Sequence, residues 1–405
     1  MGRPAQRSGR AGSARDRIAT PPPAPWRDIV ASVRRHQPIR DTVTEHTPQH
    51  PLHGESATLH GESATSKLAL IFPGQGSQHA GMGKRVAEAS PAAREVFAQA
   101  DEILKLDVTR IVMEGSEKDL QKTVNTQPAI LAVSWAHLVY LRERAAQMGR
   151  QLRPSHVSGH SFGQFSAAAA TDAIPFPDAL RLVRERGRIM TKWSKRRPGG
   201  MATIIGPTDE DVADICSRVS PDGEVGVAAV NAPGQTVISG TLAALGRAIE
   251  SLKERGRVVQ LPISVPGHFP KMAEARDELR RFIDGIEFRD PKTPMVSSLT
   301  GKILTTAEEV RQELSDQMTG AINWMRAFRE MRRAGASTFF ELGPGHVLGN
   351  ISRRVDRDAR IIDVFDESQW RDLVLSGPML EPATVTAAPA ASTLVAPKRT
   401  GARPS

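Results

Sequence analysis

The residues Leu68-Ala-Leu-Ile-Phe72 form an unbroken apolar run that stops at Pro73-Gly74, the pattern of a short strand buried on both faces. Ser90-Pro91 then supplies an N-cap and a first-turn proline, and Val96, Phe97, Ala100, Ile103 and Leu104 recur at helical spacing behind it. A long helix is predicted after Gln127-Pro128, then a short strand near His156-Val157, a Gly-Ser-Gly turn, and helices to about Ser194. Strands and helices alternating in this way predict an α/β fold with a mostly parallel, helix-covered sheet.

Residues 200–264 read as a separate unit. Met201–Ile205 is a predicted strand and Thr208–Val219 a helix. Val225–Val230 and Thr236–Ser239 are strands joined by Asn231-Ala-Pro-Gly234, followed by a helix at Thr241–Glu254 and a strand at Arg257–Ile263. That β-α-β-β-α-β order is the ferredoxin-like pattern. The larger pattern resumes with strands at Met295–Leu299 and Thr338–Leu342. The expected organisation is therefore one α/β domain over 67–199 and 265–371, interrupted by the unit at 200–264.

The ends differ from this middle. Residues 1–66 contain Pro21-Pro22-Pro23, scattered arginines and a tandem LHGESAT at 52–58 and 59–65, and they read as a basic disordered tail. Arg-rich, acid-poor composition also suits a transit peptide, the lesser reading. Two copies of a polar heptapeptide are too few for a repeat fold. Residues 372–405, rich in Ala, Pro and Thr, read as a second disordered tail.

Composition narrows the function classes. With 39% hydrophobic residues the chain can bury a sizeable core. The single cysteine, Cys216, excludes an intramolecular disulfide and a cysteine-based metal cluster. Aromatic residues at 4% argue against stacking on nucleic acid. No apolar stretch is long enough to span a membrane, and the cytoplasm is the default compartment. The formal charge of +9 falls mostly in the central region and suits an acidic partner.

The sharpest chemical signal is Gly159-His160-Ser161-Phe162-Gly163 between a predicted strand and helix. G-x-S-x-G in that setting is a nucleophile elbow, which lifts the serine hydroxyl above the sheet beside a helix N-terminus. By itself the pattern also fits a glycine-rich turn with no catalytic role. Pro73-Gly74-Gln75-Gly76-Ser77-Gln78 follows the first strand and can lend a backbone N–H to an oxyanion or cradle a phosphate. It lacks the lysine of a nucleotide P-loop.

Taken in order, PGQGSQ, TQPAI at 126–130, GHSFG, Arg186-Gly187-Arg188-Ile189-Met190, NAPGQTVISG at 231–240, Gly267-His268 and ELGPG at 341–345 resemble the malonyl-CoA:acyl carrier protein transacylases and the discrete, trans-acting acyltransferases of polyketide synthases. The resemblance spans roughly 68–366 and implies a hydrolase-like larger domain with an inserted ferredoxin-like subdomain. It implies Ser161 as nucleophile, His268 as its base, and the N–H groups of Gln75 and Phe162 as the oxyanion hole. A carbonyl near Gln317 would orient the histidine, with no acid required. Arg186 falls at the family's carboxylate-binding position, where a guanidinium grips a carboxylate with two hydrogen bonds. From sequence alone it is one arginine among Arg181, Arg184 and Arg188. His160, Gln127, Met190 and Asn231 fall at pocket or supporting positions.

The chain departs from the common elbow GHSLGEYSA: Phe162, Gln164 and Phe165 stand where Leu, Glu and Tyr are usual. Gly267, before the base, leaves room for a substituent on the acyl α-carbon and resembles ethylmalonyl-selective domains.

The resulting expectation is an acyltransferase that takes a malonyl-type unit, ethylmalonyl first, from acyl-CoA through an acyl-serine to the phosphopantetheine thiol of a separate acyl carrier protein in polyketide biosynthesis. It needs no metal or other cofactor, nucleic acid or membrane. The alternatives are a plain malonyl transacylase of fatty acid or polyketide synthesis and a proofreading thioester hydrolase on the same scaffold. A catalytically silent docking protein is a third, disfavoured by the intact Ser161, His268 and Arg186.

Overall fold

The run from Leu68 to Phe72 is buried at every residue, as a strand covered on both faces requires. In the computed structural model, which describes residues 67–263, 265–366, 368–369 and 380–382, it forms most of β1 (Lys67–Phe72). The strands that follow are β2 (Arg150–Leu152), β3 (His156–Gly159), β4 (Gly199–Ile205), β5 (Val225–Ala232), β6 (Gln235–Thr241) and β7 (Arg257–Gln260). Then come β8 (Met295–Val296), β9 (Ile303–Leu304), β10 (Ile322–Asn323), β11 (Ala336–Glu341), β12 (Arg360–Ile362) and β13 (Leu380–Pro382).

Six strands form the larger sheet in the order β12-β11-β1-β3-β8-β9. All neighbours are parallel except β8 and β9. Parallel neighbours require crossovers, and helices supply them. Between β1 and β3 run the helices Pro91–Leu104 and Thr123–Gln147. The first is capped as its sequence predicts: the Ser90 hydroxyl accepts from the Ala93 N–H, and Pro91 occupies the first turn.

The second begins earlier than predicted, so Gln127 and Pro128 lie inside it. Proline has no N–H to give the carbonyl four residues back. That carbonyl, on Val124, instead accepts from the Arg184 guanidinium at 2.6 Å. The proline therefore ties this helix to the helix Phe176–Arg196, which carries Arg186.

The smaller sheet has the order β10-β5-β6-β4-β7. The four strands β4 to β7 pair antiparallel and alternate with the helices Asp209–Val219 and Leu242–Leu252 in the predicted β-α-β-β-α-β sequence. The unit at 200–264 does not close its own sheet, however. β10, from the larger domain, pairs parallel with β5 and covers its free edge. Two residues are too few to show a period in the sequence. Likewise β7 ends at Gln260 and β8 at Val296, short of the predicted Ile263 and Leu299.

The predicted N-terminal tail and most of the C-terminal one lie outside the described residues. One correction falls within the latter: Leu380–Pro382 is not irregular but pairs antiparallel with β2. Pro382, lacking an N–H, sits at the strand's end. Among the described residues no helix is long and apolar enough to cross a membrane.

Candidate active site

The chain leaves β3 at Gly159 and enters the helix Gly163–Ala170 within four residues. Ser161 sits in that turn with φ of 54°, a left-handed conformation that L-residues adopt rarely. Neither of the two motif glycines has positive φ. A Cβ on Gly159 would lie 2.0 Å from the Gly163 carbonyl carbon, and one on Gly163 would lie 2.3 Å from the Phe72 oxygen. They are glycines because helix and strand approach too closely for any side chain, while the serine itself bears the strain.

His268 reaches Ser161 from 107 positions along the chain, its Nε2 lying 2.6 Å from Oγ. It too has positive φ, 55°. Its Nδ1 lies 3.2 Å from the Gly320 carbonyl. A carbonyl only accepts, so Nδ1 carries the proton and Nε2 is left with a lone pair for the serine hydroxyl. The resemblance placed the orienting carbonyl near Gln317, and the carbonyl found is that of Gly320, three residues on. The Gln317 side chain is fully buried and donates to Ser298 Oγ at 3.0 Å.

Burial pushes the His268 pKa down to about 3, with the Arg186 cation adding to the effect and the backbone hydrogen bonds opposing it. The ring is therefore neutral near pH 7, as a base must be.

The PGQGSQ loop lies against the elbow. A Cβ on Gly74 would come within 2.6 Å of the His160 carbonyl oxygen. The N–H groups of Gln75 and Phe162 make no hydrogen bond among the described residues, so both remain available to an oxyanion. His160 turns away from the nucleophile and joins the two sheets, its Nε2 lying 2.8 Å from Asn231 Oδ1 on β5. Burial lowers its pKa.

Arg186 is not a surface charge. It is 3% exposed and has no acidic partner among the described residues. One terminal nitrogen meets Met190 Sδ at 3.2 Å, and its plane lies 5.6 Å from the centre of the Phe165 ring. Its Nε has no hydrogen bond. Burial lowers its pKa to about 10, leaving it cationic. Gln127 also meets Met190 Sδ, at 3.3 Å, and its buried Oε1 is unpartnered. Phe165 matters here because a phenyl ring cannot hydrogen-bond the guanidinium, so the cation stays free for a ligand. A Cβ on Gly267 would sit 3.6 Å from Met201 Sδ and 3.9 Å from Met190 Cε, so the space beside the base ends on two flexible thioethers.

Three features escape the sequence reading. The Gly320 carbonyl carries no side-chain signal. Met201 lies in the other sheet. Glu313, four residues before Gln317 and so on the same helical face, is buried and touches Gln164, Ser297, Ser298 and Gln317.

The Acyl transferase domain family matches residues 69–362. The chain belongs to that family. It is 35% identical over 304 residues to the malonyl CoA-acyl carrier protein transacylase of Bacillus subtilis, covering 74% of this chain and 94% of that protein. An acyl carrier protein S-malonyltransferase from Vibrio cholerae superposes with a TM-score of 0.69 at 34% identity, over 74% of this chain and 96% of that one. A malonyl-transacylase solved in complex with its type II polyketide synthase acyl-carrier protein gives a TM-score of 0.71 at 34% identity, over 76% and 99% of the two chains. The chain is thus an acyltransferase with the α/β fold of these enzymes.

Proposed function

We propose that this acyltransferase moves a malonyl group from malonyl-CoA to the phosphopantetheine thiol of a separate acyl carrier protein. The observation that carries the reading is Arg186, a cation buried without a counter-charge among the described residues beside the Ser161–His268 pair. A buried unpaired charge is costly unless a ligand completes it, and a malonyl carboxylate would do so bidentately. The names of the relatives point to the same acyl group.

In this reading His268 Nε2 takes the Ser161 proton as Oγ attacks the thioester carbonyl. The oxyanion falls to the Gln75 and Phe162 N–H groups. Collapse expels CoA, which takes the proton from His268, and leaves malonyl-Ser161. The carrier's thiol then loses its proton to His268, attacks the ester, and regenerates the serine. These steps call on side chains and backbone alone, so we propose no metal or redox cofactor. We also read β4 to β7 as the ferredoxin-like insertion and place the enzyme in the cytoplasm, where acyl-CoA is made.

Malonyl takes precedence over ethylmalonyl because the relatives are named for malonyl. Gly267, bounded by Met190 and Met201, favours a second reading in which an α-substituted malonyl is also accepted for a polyketide synthase. A hydrolase would need no carboxylate clamp. The test is reconstitution with malonyl-CoA and a holo carrier protein, following malonyl-carrier and free malonate together. Malonyl-carrier as the main product supports the reading, and free malonate as the main product overturns it in favour of the hydrolase.

A further inference from the structure

Behind the base lies a buried polar cluster that the reaction as written does not use. Glu313 lies in the last turn of the helix Ala307–Asp316 and is 5% exposed. Its Oε2 accepts from Ser297 Oγ at 2.6 Å. Its Oε1 accepts from the Ser298 N–H at 2.9 Å, Ser298 Oγ at 3.3 Å, Gln164 Nε2 at 3.2 Å and Gln317 Nε2 at 3.3 Å. No cation contributes among these partners. Burial raises its carboxyl pKa, and this ring of donors pulls it back. Gln164 Nε2 also donates to the Val296 oxygen at 2.8 Å and Gln317 Nε2 to Ser298 Oγ at 3.0 Å, while the amide oxygens of both are buried without a partner among the described residues. Glu313 is the acceptor that these donors share.

The cluster joins the two halves of the catalytic pair. Gln164 lies on the elbow helix, three residues after Ser161. Gln317 begins the turn that runs to Gly320, whose carbonyl holds His268 Nδ1. The common elbow GHSLGEYSA has a glutamate where this chain has Gln164.

We propose that Glu313 is a positioning residue whose carboxyl group locks the 317–320 turn against the elbow helix, holding His268 in line with Ser161. The catalytic part of the proposal rests on His268 acting as base; the positioning part does not.

The test compares wild type, Glu313→Gln and the exchange Gln164→Glu/Glu313→Gln, each as full-length protein. Two readouts are taken: steady-state malonyl transfer, and the ¹H–¹⁵N imidazole signal of His268, assigned by its loss in His268→Ala. Glu313→Gln is expected to lower kcat about tenfold to a hundredfold, as misplaced catalytic groups do, with KM for malonyl-CoA within twofold. The hydrogen-bonded Nδ1–H signal should weaken in parallel. The exchange variant should recover both, because one carboxyl and one amide again meet at the contact and a protonated carboxyl at position 164 can still donate to the Val296 oxygen. A folded Glu313→Gln with unchanged kcat and unchanged imidazole signal overturns the proposal. So does an exchange variant that behaves like the single variant or fails to fold. If Glu313→Gln itself does not fold, the exchange variant decides alone. If wild type shows the imidazole response but no malonyl transfer, the functional reading falls and the positioning role of Glu313 stands.

Discussion

Replacing Arg186 by Met removes a guanidinium that has a sulfur contact, an aromatic face and an unpartnered Nε, and no carboxylate. Two charge-assisted hydrogen bonds to a malonyl carboxylate are worth about 1.5–3 kcal/mol each, so about 3–6 kcal/mol together. At roughly 1.4 kcal/mol per factor of ten, kcat/KM for malonyl-CoA should fall about 10²–10⁴-fold. Acetyl-CoA has no carboxylate to lose, so its slow loading should hold or improve. The ligand-free protein should be no less stable, because an unsatisfied buried donor costs about 1–3 kcal/mol and the substitution removes one. Three measurements on the one variant decide: malonyl loading, acetyl loading and the midpoint of thermal unfolding. Parallel losses for malonyl and acetyl, or a malonyl loss under tenfold in a folded variant, would refute the assignment of Arg186 to the carboxylate.

Other consequences follow from the same geometry. With His268 depressed to about pKa 3, the acid limb of kcat/KM should lie far below the ordinary 6.5 of a histidine, and Arg186→Met, by removing a cation, should move it upward; a limb near 6.5 in wild type would contradict this. His137 and His268 are both lowered to about 3, so between pH 6.5 and 3 the unfolded chain binds protons that the folded one refuses, and stability falls on acidification. Glu341, raised to about 7, works against that loss only above its unfolded value of 4.5, so denaturant titrations should show the steepest loss below about pH 4.5. Gly267→Ser should fold normally, since its Cβ meets only ordinary contacts, yet lower ethylmalonyl loading relative to malonyl by about 10–200-fold; equal losses would make Gly267 irrelevant to acyl choice. Gly163→Ala forces a Cβ to 2.3 Å from the Phe72 oxygen and should cost about 1–3 kcal/mol of stability by chemical denaturation, whereas an unchanged midpoint would show that elbow and strand can part freely.

What the sequence made legible depended on how local each signal is. The elbow, the Ser90-Pro91 helix start and the β–α alternation are written in neighbouring residues, and the structure keeps them. The long helix was misplaced because Pro128 normally marks a boundary, and only Arg184, from a different helix, makes it tolerable inside. β10 and the Gly320 carbonyl are tertiary features without a side-chain signature: a two-residue edge strand and a backbone oxygen. Arg186 was one arginine of four until burial set it apart from its neighbours. The helical spacing of Glu313 and Gln317 was readable, but nothing local says that this face turns inward.

The central claim is that Ser161 carries the acyl group, and intact-protein mass spectrometry tests it most directly. Wild type mixed with malonyl-CoA should gain one malonyl mass, mapped to the peptide containing Ser161 and discharged on adding a holo carrier protein. Ser161→Ala should gain nothing. An adduct of equal yield in Ser161→Ala, or one on wild type that the carrier's thiol cannot remove, would contradict the account.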